Sequence, residues 1–460
     1  MDEQANPIPG DLCALPATEM ARLVRDGRLS PVELIRAHLD RIADREPVIR
    51  AFQIVRADQA LSEAAALSDR TDLAELPLAG VPVAIKDNVA VEGEPTRMGS
   101  AATSPEPAGA DDELVTRLRA AGCVVIGKTH MPELAIWPFT EPVAFESTRN
   151  PWNLTRTPGG STGGGAAAVA AGMAALALGS DGGGSIRIPA ACCGLFGLKP
   201  GPGLVPVAGG QHVHWHGLTA FGPLARTVTD AALMLDVLAG TTGYSDASPP
   251  QRPLRIAFSA RHPLIGAKTS PVVRAALQNA VDLLRGAGHE LVPQSPAYPA
   301  ALGLHFNTRW LAGIAQDATG LDHSALEPRT QQMARLGKRL AGRARPASAD
   351  RFAHQAARWF ASYDVLMTPT LTRGPYPIGA WDGKGWFKTM LGVGNWINTP
   401  QWNLAGLPAA SVPCGKDEDG LPIGIQLTAQ AGADRVLLDL ATQIEQLQPW
   451  QQIAPAQSAG

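Results

Sequence analysis

The chain has 460 residues, of which 45% are apolar and 18% are charged, and its formal net charge is −3. This composition is typical of a globular enzyme, and the length suits either about three domains or one large α/β domain. The slightly acidic balance argues against binding to nucleic acid or to an anionic membrane, because both attract strongly basic surfaces. We therefore expect small molecules as partners of a monomer or a homodimer.

Cysteine usage and the apolar runs bear on the compartment. An odd number of cysteines without CxxC spacing favours small buried thiols in a reducing environment: Cys13, Cys123, Cys192, Cys193 and Cys414. The first eleven residues lack the apolar stretch of a signal peptide. Residues 164–179, the longest apolar run, are too short and too rich in Ala and Gly to span a bilayer. The expected location is the cytoplasm.

Helices are predicted first along the chain. Thr18 can cap a helix that runs to Asp26, and Ser30, followed by Pro31 and Glu33, has the pattern of a second helix start. The predicted elements that follow are a strand at 81–86, a helix at 112–121, a strand at 123–126, an alanine-rich helix between two glycine-rich loops within 158–184, a strand at 195–198, a helix at 227–238, a strand at 254–258, a helix at 270–285, and strands at 364–367, 409–412 and 423–427.

This alternation of strands and helices predicts an α/β fold with a largely parallel or mixed sheet. Residues 293–346 are helical but irregular in pattern, and they carry no strand signal. We interpret them as a helical insertion that packs on the sheet and shapes a substrate pocket, within a single domain that covers residues 1–460.

Two glycine-rich segments carry the chemistry. Residues 158–165 and 179–189 each present a serine, Ser161 and Ser185, on a backbone almost without side chains. Glycines let a backbone approach a ligand closely, and successive N–H groups can converge on a developing oxyanion.

A serine hydroxyl needs a base to become a nucleophile, and no histidine lies next to either segment. Lys86 ends an apolar strand, where burial would favour its neutral amine and lower its pKa. Taken singly, Lys86 is an ordinary lysine and the glycines are turn formers. Two serine-bearing glycine segments one helix apart favour catalysis.

Three motifs resemble the amidase signature family: VAIKDN at 83–88, GGSTGG at 159–164 and GSDGGGSIRIP at 179–189. The two serines are 24 residues apart, as is usual in that family. Further segments are similar to it over most of the chain, at 121–129, 131–133, 222–228, 403–408 and 424–427. The resemblance implies a mixed β-sheet core flanked by helices on both faces.

The resemblance also implies a Ser–Ser–Lys triad. Ser185 would be the nucleophile, Ser161, which follows a cis peptide in the family, the proton relay, and Lys86 the general base. The oxyanion would lie against the N–H groups of Gly182, Gly183, Gly184 and Ser185. No metal or cofactor is expected.

Three residues depart from the family pattern, and each departure keeps the catalytic groups. Thr162 and Ser180 replace a serine and a threonine, so a hydroxyl remains at both positions. Gly182 replaces a bulkier residue, which would loosen the oxyanion loop or widen the pocket. Asp181, Arg187 and Thr162 are interpreted as supports of the site. Asp181 and Arg187 either form a charge pair or have two separate structural roles.

Two motifs are interpreted as coincidental matches. Residues 122–129 fit the phosphate-loop pattern G-x-x-x-x-G-K-[ST], but a helix precedes them and their apolar centre is itself strand-like. Gly159, Ser161 and Gly163 fit the nucleophile elbow of α/β-hydrolases, in which Ser161 would be the nucleophile of an esterase. That motif requires an apolar strand before the serine, which residues 151–158 do not supply.

Alternating histidines and scattered aromatic residues are weaker signals. His212, His214 and His216 could face one side of a strand as metal ligands, but they lack an acidic or cysteine partner, so packing near a pocket mouth is favoured. Five aromatic residues are predicted to line the substrate pocket: Trp137, Phe139, Phe145, Trp381 and Trp386.

The sequence thus predicts a hydrolase of carboxylic amides, with anilides, carbamates (urethanes) and esters as other carbonyl compounds that the triad could attack. The amidase subunit of a tRNA-dependent amidotransferase, which would pass ammonia to a partner, remains an alternative. A non-catalytic binding protein is disfavoured because all three triad positions are occupied.

Overall fold

One mixed sheet organises the protein. The structure is a computed structural model, and it describes residues 10–210, 213–264, 266–344 and 347–457. Within these residues eleven strands pair in the order β1-β3-β2-β4-β6-β5-β10-β11-β9-β7-β8. The strands are β1 (Phe52–Val55), β2 (Pro82–Lys86), β3 (Val124–Thr129), β4 (Leu176–Asp181), β5 (Phe196–Lys199), β6 (Ala220–Ala225), β7 (Arg255–Phe258), β8 (Glu290–Pro293), β9 (Val365–Pro369), β10 (Ala409–Lys416) and β11 (Pro422–Ala429).

Parallel and antiparallel pairs divide the sheet by region. Strands β3, β2 and β4 are mutually parallel, as are β9, β7 and β8 at the other end, and the pairs between these two groups are antiparallel. The described residues form these α-helices: α1 (Ala17–Arg25), α2 (Pro31–Ile49), α3 (Ala57–Ser68), α4 (Glu113–Ala120), α5 (Gly163–Ala170), α6 (Arg187–Cys193), α7 (Val228–Ala239), α8 (Pro271–Gly286), α9 (Leu302–Asp317), α10 (Pro328–Leu340), α11 (Ala347–Phe360), α12 (Trp386–Gly394), α13 (Pro400–Leu404) and α14 (Asp434–Leu447).

Helices cover both faces of the sheet. Successive strand residues point to opposite faces, and in β2 Val83 and Ile85 join one apolar core while Ala84 joins another. The first core includes residues of α1, α4, α7, α8 and α14, and the second those of α5 and α6. Because both faces are buried, β2 is a continuous apolar run rather than an alternating one. The predicted α/β fold, with a mixed sheet between helical layers, is confirmed.

Helix α2 begins as predicted, whereas α1 is capped differently. Ser30 accepts a hydrogen bond from the backbone N–H of Val32 at 3.2 Å. Helix α1 begins at Ala17, one residue before the predicted cap, and its first N–H groups donate to the Asp230 carboxylate. Thr18 also donates its hydroxyl to Asp230 at 2.9 Å, so the cap comes from α7 and not from the local sequence.

Strands β1, β4, β6 and β8 were not predicted. Residues 220–225 contain Gly222 and Pro223, which indicate a turn in an isolated segment. In the sheet Gly222 lies against β5, where a Cβ would be 2.3 Å from the Leu198 carbonyl oxygen. Strand β4 extends to Asp181, so the first three residues of the glycine-rich segment predicted at 179–189 belong to the strand.

Residues 293–346 contain the two helices α9 and α10, apart from residues 345 and 346, which lie outside the described set. Trp310 and Ile314 of α9 pack with Met333 of α10 and with Phe352 of α11 in a third apolar core. This core lies beside the end of β4 and forms one wall of the site described below. Among the described helices, none is long and apolar enough to cross a membrane.

Candidate active site

Lys86 is the last residue of β2, and its side chain is fully buried. Its Nζ lies 2.7 Å from Ser161 Oγ and 2.8 Å from Ser180 Oγ. Asn88 donates its side-chain N–H to the same Ser180 hydroxyl at 3.1 Å. Strand β2 therefore delivers the lysine to two hydroxyls that belong to the two glycine-rich segments.

Burial lowers the pKa of Lys86 to about 7, from an ordinary value of 10.5. Taking an ammonium ion out of water disfavours its charged form, and the nearby negative charge of Asp181 offsets only part of this effect. The neutral amine is therefore substantially populated near neutral pH. Such an amine has a lone pair that can accept a proton.

Ser161 is held between β2 and α5. The Gly160–Ser161 peptide bond is cis, and α5 begins two residues later with Gly163. A Cβ at Gly160 would lie 2.7 Å from the Phe139 backbone nitrogen, so this stretch fits only without a side chain. The Ser161 side chain is fully buried beside Lys86.

Ser185 lies beyond the end of β4 and is half-buried in the wall of a cavity. Its carbonyl oxygen accepts a hydrogen bond from the Thr162 N–H at 3.1 Å, which ties the two glycine-rich segments together. The Thr162 hydroxyl donates to the Ser180 carbonyl at 3.3 Å. Among the hydrogen bonds of the described residues, none joins the Ser161 and Ser185 hydroxyls directly.

Asp181 and Arg187 form a fully buried ion pair at 2.9 Å. Burial alone would raise the pKa of Asp181, but the guanidinium and the hydrogen bonds from Arg187 and Asn403 hold it below its usual range. Arg187 also donates to Gln426 at 2.6 Å and to Asn403 at 2.6 Å. The pair thus anchors the segment that carries Ser185 to β11 and α13.

Gly184 is placed differently from the sequence-based expectation. Its N–H donates to Asp181 Oδ1 at 2.7 Å, so this group is committed to the carboxylate and is not free to meet an oxyanion. The φ of Gly184 is +127°, and a Cβ would lie 2.1 Å from Thr399 Oγ1. Gly184 therefore shapes the turn, which leaves the N–H groups of Gly182, Gly183 and Ser185 as the candidates for the predicted oxyanion site.

A cavity of about 480 Å³ opens onto Ser185 and Gly183. Its walls come from residues 135–138, from α9, from α12 and from the segment 395–401, and within the described chain they include no Asp, Glu, Lys or Arg. His262 lies in the wall with a pKa lowered by burial, and it contacts the Ile397 carbonyl at 2.9 Å and the Leu264 N–H at 3.0 Å. The cavity is mostly apolar, and its described polar side chains, such as Asn307, Asn395 and Gln401, carry no formal charge.

Of the five aromatic residues predicted to line the pocket, only Trp137 lines this cavity among the described residues. Phe139 stacks behind Trp137, and Trp381 stacks behind Phe139. Phe145 packs instead against His130 and Arg97. Trp386 starts α12 and is likewise not among the residues that line this cavity.

Sequence reasoning missed three aromatic residues of the cavity wall: Trp215, Phe306 and Trp310. Trp215 and Phe306 both line the cavity next to the glycine-rich loop. Trp215 lies inside the histidine cluster, and Phe306 lies in the 293–346 region, so the sequence drew attention to both segments. Neither residue has a periodic or motif signal of its own that would have singled it out.

The histidine cluster is only partly described. His214 contacts the Thr219 hydroxyl at 2.8 Å and Asp317 at 3.1 Å, whereas His212 lies outside the described residues. Within the described part of the chain, no group of three or more His, Cys, Asp or Glu side chains is arranged to hold a metal ion. The phosphate-loop pattern falls on β3, where Lys128 is buried and paired with Asp87 at 2.9 Å.

Comparisons with known proteins agree with this fold. The amidase family model matches residues 33–438. The chain is 45% identical to the AmiB2 protein of Mycobacterium tuberculosis, over 98% of this chain and 100% of that protein. It is 34% identical to an acylamidase of Rhodococcus erythropolis, over 96% of this chain and 98% of that enzyme. The solved structure of 6-aminohexanoate cyclic dimer hydrolase is similar with a TM-score of 0.85 and 32% identity, over 96% of this chain and 98% of that chain.

The fold, the family match and these relatives place the protein in the class of amide hydrolases. The chain belongs to the amidase signature family.

Proposed function

We propose that this enzyme hydrolyses neutral, apolar carboxylic amides through an acyl-enzyme on Ser185, with Ser161 as the proton relay and Lys86 as the general base. The observation that carries the proposal is the buried contact of 2.7 Å between Lys86 Nζ and Ser161 Oγ, with the lysine pKa lowered to about 7. A base poised near neutral pH is what proton transfer in the transition state requires.

In the first step the lone pair of neutral Lys86 accepts the hydroxyl proton of Ser161. Ser161 in turn accepts the proton of Ser185, whose oxygen attacks the substrate carbonyl carbon. The half-buried Ser185 hydroxyl rotates toward Ser161 for this transfer, since catalytic hydrogen bonds commonly tighten when substrate binds. The N–H groups of Gly182, Gly183 and Ser185 stabilise the negative charge on the carbonyl oxygen.

In the second step the tetrahedral intermediate collapses and the carbon–nitrogen bond breaks. The proton held on Lys86 returns through Ser161 to the leaving nitrogen, which departs as an amine or ammonia. A water molecule then gives its proton to the same relay and attacks the Ser185 ester, which releases the carboxylic acid and restores the hydroxyl. Esters and carbamates can enter the same sequence, because each has a carbonyl carbon and a protonatable leaving atom.

The substrate class is inferred from the cavity. Its described walls lack charged side chains, so a charged substrate would lose its hydration without gaining a counter-ion. Trp137, Trp310 and Phe306 supply apolar and aromatic surface there. Amides and anilides of apolar acids fit this environment, and urethanes of similar polarity are further candidates.

The decisive experiment is peptide mapping after treatment with a fluorophosphonate, which forms a covalent adduct with an activated serine. We expect the adduct on Ser185 in the wild type and its loss in Lys86→Ala. Lys338→Ala is the matched control, because it makes the same substitution at an exposed lysine of α10. This control should label at the wild-type rate.

An adduct on Ser161 would replace the proposed mechanism with the nucleophile-elbow alternative. Equal labelling of Ser185 in Lys86→Ala and in the wild type would exclude Lys86 as the base. Absence of any serine adduct, together with no hydrolysis of apolar anilides, would overturn the proposal for the isolated chain and favour the amidotransferase-subunit alternative.

A further inference from the structure

Trp215 packs against Gly182, the first residue of the glycine-rich loop after β4. It is buried, it lines the cavity, and its indole N–H donates to Asp317 Oδ2 at 2.6 Å. His214 stacks on the same indole with ring centroids 5.3 Å apart and contacts the other oxygen of Asp317. Helix α9, which ends at Asp317, therefore fixes the position and tilt of this ring.

Two glycines make room for the Trp215 ring. A Cβ at Gly182 would lie 2.6 Å from Trp215 Cε3, and a Cβ at Gly313 would lie 2.5 Å from Trp215 Cδ1. Neither glycine has a positive φ, so what excludes a side chain there is space and not backbone conformation. The indole occupies the volume that a larger residue at position 182 would fill.

Phe306 repeats this arrangement at the next residue of the loop. A Cβ at Gly183 would lie 2.8 Å from Phe306 Cζ. Phe306 comes from the same helix, α9, that holds Asp317 and Gly313. Helix α9 thus carries Phe306 and anchors Trp215, and the two rings pack against Gly183 and Gly182. The rings limit the space in the cavity beside these two glycines.

The position of the proposed proton relay indicates which part of the substrate contacts these rings. The leaving nitrogen receives its proton from Ser161, which lies against Gly160, and the backbone of residues 137–139 packs on that glycine. The leaving group therefore lies toward residues 135–138. The acyl group then extends away from Ser161 along Gly182 and Gly183, where Trp215 and Phe306 line the cavity.

We propose that Trp215, anchored by Asp317 and seated on Gly182 and Gly313, is the specificity-determining residue that sets the largest acyl group accepted by the enzyme. This inference rests on the proposed acyl-enzyme mechanism and deepens it. Removing the indole opens space beside the oxyanion loop, so longer acyl chains gain a binding site that the wild type denies them.

The test measures kcat/KM for p-nitroanilides of acetic, butyric, hexanoic and octanoic acids. In Trp215→Ala we expect the ratio of octanoyl to acetyl kcat/KM to rise at least about tenfold over the wild type, since even one methylene in an apolar pocket changes discrimination by roughly that factor or more. A second series with one fixed acyl group and different anilines should keep its wild-type order.

Variants outside the catalytic loop separate a specificity role from a folding role. Asp317→Ala removes the hydrogen-bond acceptor that anchors the indole. We expect the octanoyl-to-acetyl ratio of kcat/KM to rise here too, but by less than in Trp215→Ala. Asp317→Asn keeps an oxygen that accepts the indole N–H and should retain the wild-type profile. Gly313→Ala forces the Trp215 ring to move, so this single variant should change the acyl-chain preference. Combined with Trp215→Ala, it should have no further effect, because the ring is already absent.

The outcomes distinguish this inference from the function on which it rests. If Trp215→Ala and Asp317→Ala both hydrolyse anilides with the wild-type acyl profile, Trp215 does not set acyl size and the inference is wrong, while the mechanism stands. A shift confined to the aniline series would also overturn it, because Trp215 would then face the leaving group. If the wild type neither hydrolyses anilides nor labels at Ser185, both the inference and the proposed function fail.

Discussion

A neutral lysine has two N–H groups and one lone pair, and the surroundings of Lys86 provide for all three. Ser180 Oγ lies 2.8 Å and the Ser180 carbonyl 3.5 Å from Nζ, and both can accept an N–H. The remaining direction meets Ser161 Oγ. In the proposed mechanism Ser180 is therefore a positioning residue that directs the lone pair of Lys86 toward Ser161, and a threonine at this position would keep the same hydroxyl.

The pH dependence of hydrolysis tests this description of Lys86. Burial lowers its pKa to about 7, and the proposed mechanism requires its neutral form. We therefore expect kcat/KM for a neutral anilide to increase as the pH rises through about 7 and to level off above it. A rate that stays constant between pH 5.5 and 8.5 would contradict a titrating lysine base.

Ser180→Ala should lower the plateau value of kcat/KM by about tenfold, the equivalent of one hydrogen bond to a reacting group. Ser180→Thr keeps the hydroxyl and should restore most of the activity. If the alanine variant matched the wild type in both plateau and midpoint, Ser180 would have no positioning role.

Among the elements, α5 depends most closely on glycine. Its first turn, Gly163 to Gly165, passes between the residue before β1 and the residue after β3, where Gly164 has no room for a side chain. A Cβ at Gly164 would lie 2.5 Å from the Ala51 carbonyl oxygen and 2.6 Å from that of His130. This close approach sets where α5 starts, and so where Ser161 meets Lys86.

Gly164→Ala should destabilise the protein by about 1–3 kcal/mol, because backbone atoms at van der Waals contact cannot move aside cheaply. Gly286→Ala is the matched control: Gly286 is also helical, in α8, and a Cβ there would meet nothing within 4 Å. The control should be unchanged or more stable by up to ~1 kcal/mol, following helix propensity. Urea unfolding measures both, and equal stability of the two variants would contradict the packing argument.

At the scale of the whole molecule, the site depends on chain segments that are far apart in sequence. Arg187 joins Asp181 on β4 to Asn403 and Gln426 near the C-terminus, more than 200 residues away. The cavity walls are likewise assembled from residues 135–138, α9 and α12. The absence of charge from those described walls is a property of the assembled protein and not of any one segment.

This uncharged cavity predicts a preference between substrates. We expect kcat/KM for a neutral amide such as hexanamide to exceed that for glutamine by about 100-fold or more, since transfer of an unpaired charge into an apolar site costs several kcal/mol. Ammonia release measured by a coupled assay compares the two directly. Efficient use of glutamine would contradict the substrate class and support the amidotransferase-subunit alternative.

Elements with local signals could be predicted, and those made by tertiary contacts could not. Helix α2 starts where Ser30 and Pro31 indicate, because capping depends on neighbouring residues. Strand β6 was missed because its Gly222 and Pro223 belong to a strand only when β4 and β5 pair on either side. The pocket aromatics were largely misassigned for the same reason, since facing a cavity is decided by packing between distant elements.

By itself, the sequence determined the alternation of strands and helices, the family, and the identity of Lys86, Ser161 and Ser185 as the candidate catalytic set. It could do so because apolar strands and glycine-rich turns are encoded in contiguous residues. Only the tertiary structure decided that Lys86 is buried with a lowered pKa, that the Gly184 N–H donates to Asp181, and that Trp215 lines the cavity. Desolvation, hydrogen-bond competition and shape each arise between residues that the fold alone brings into contact.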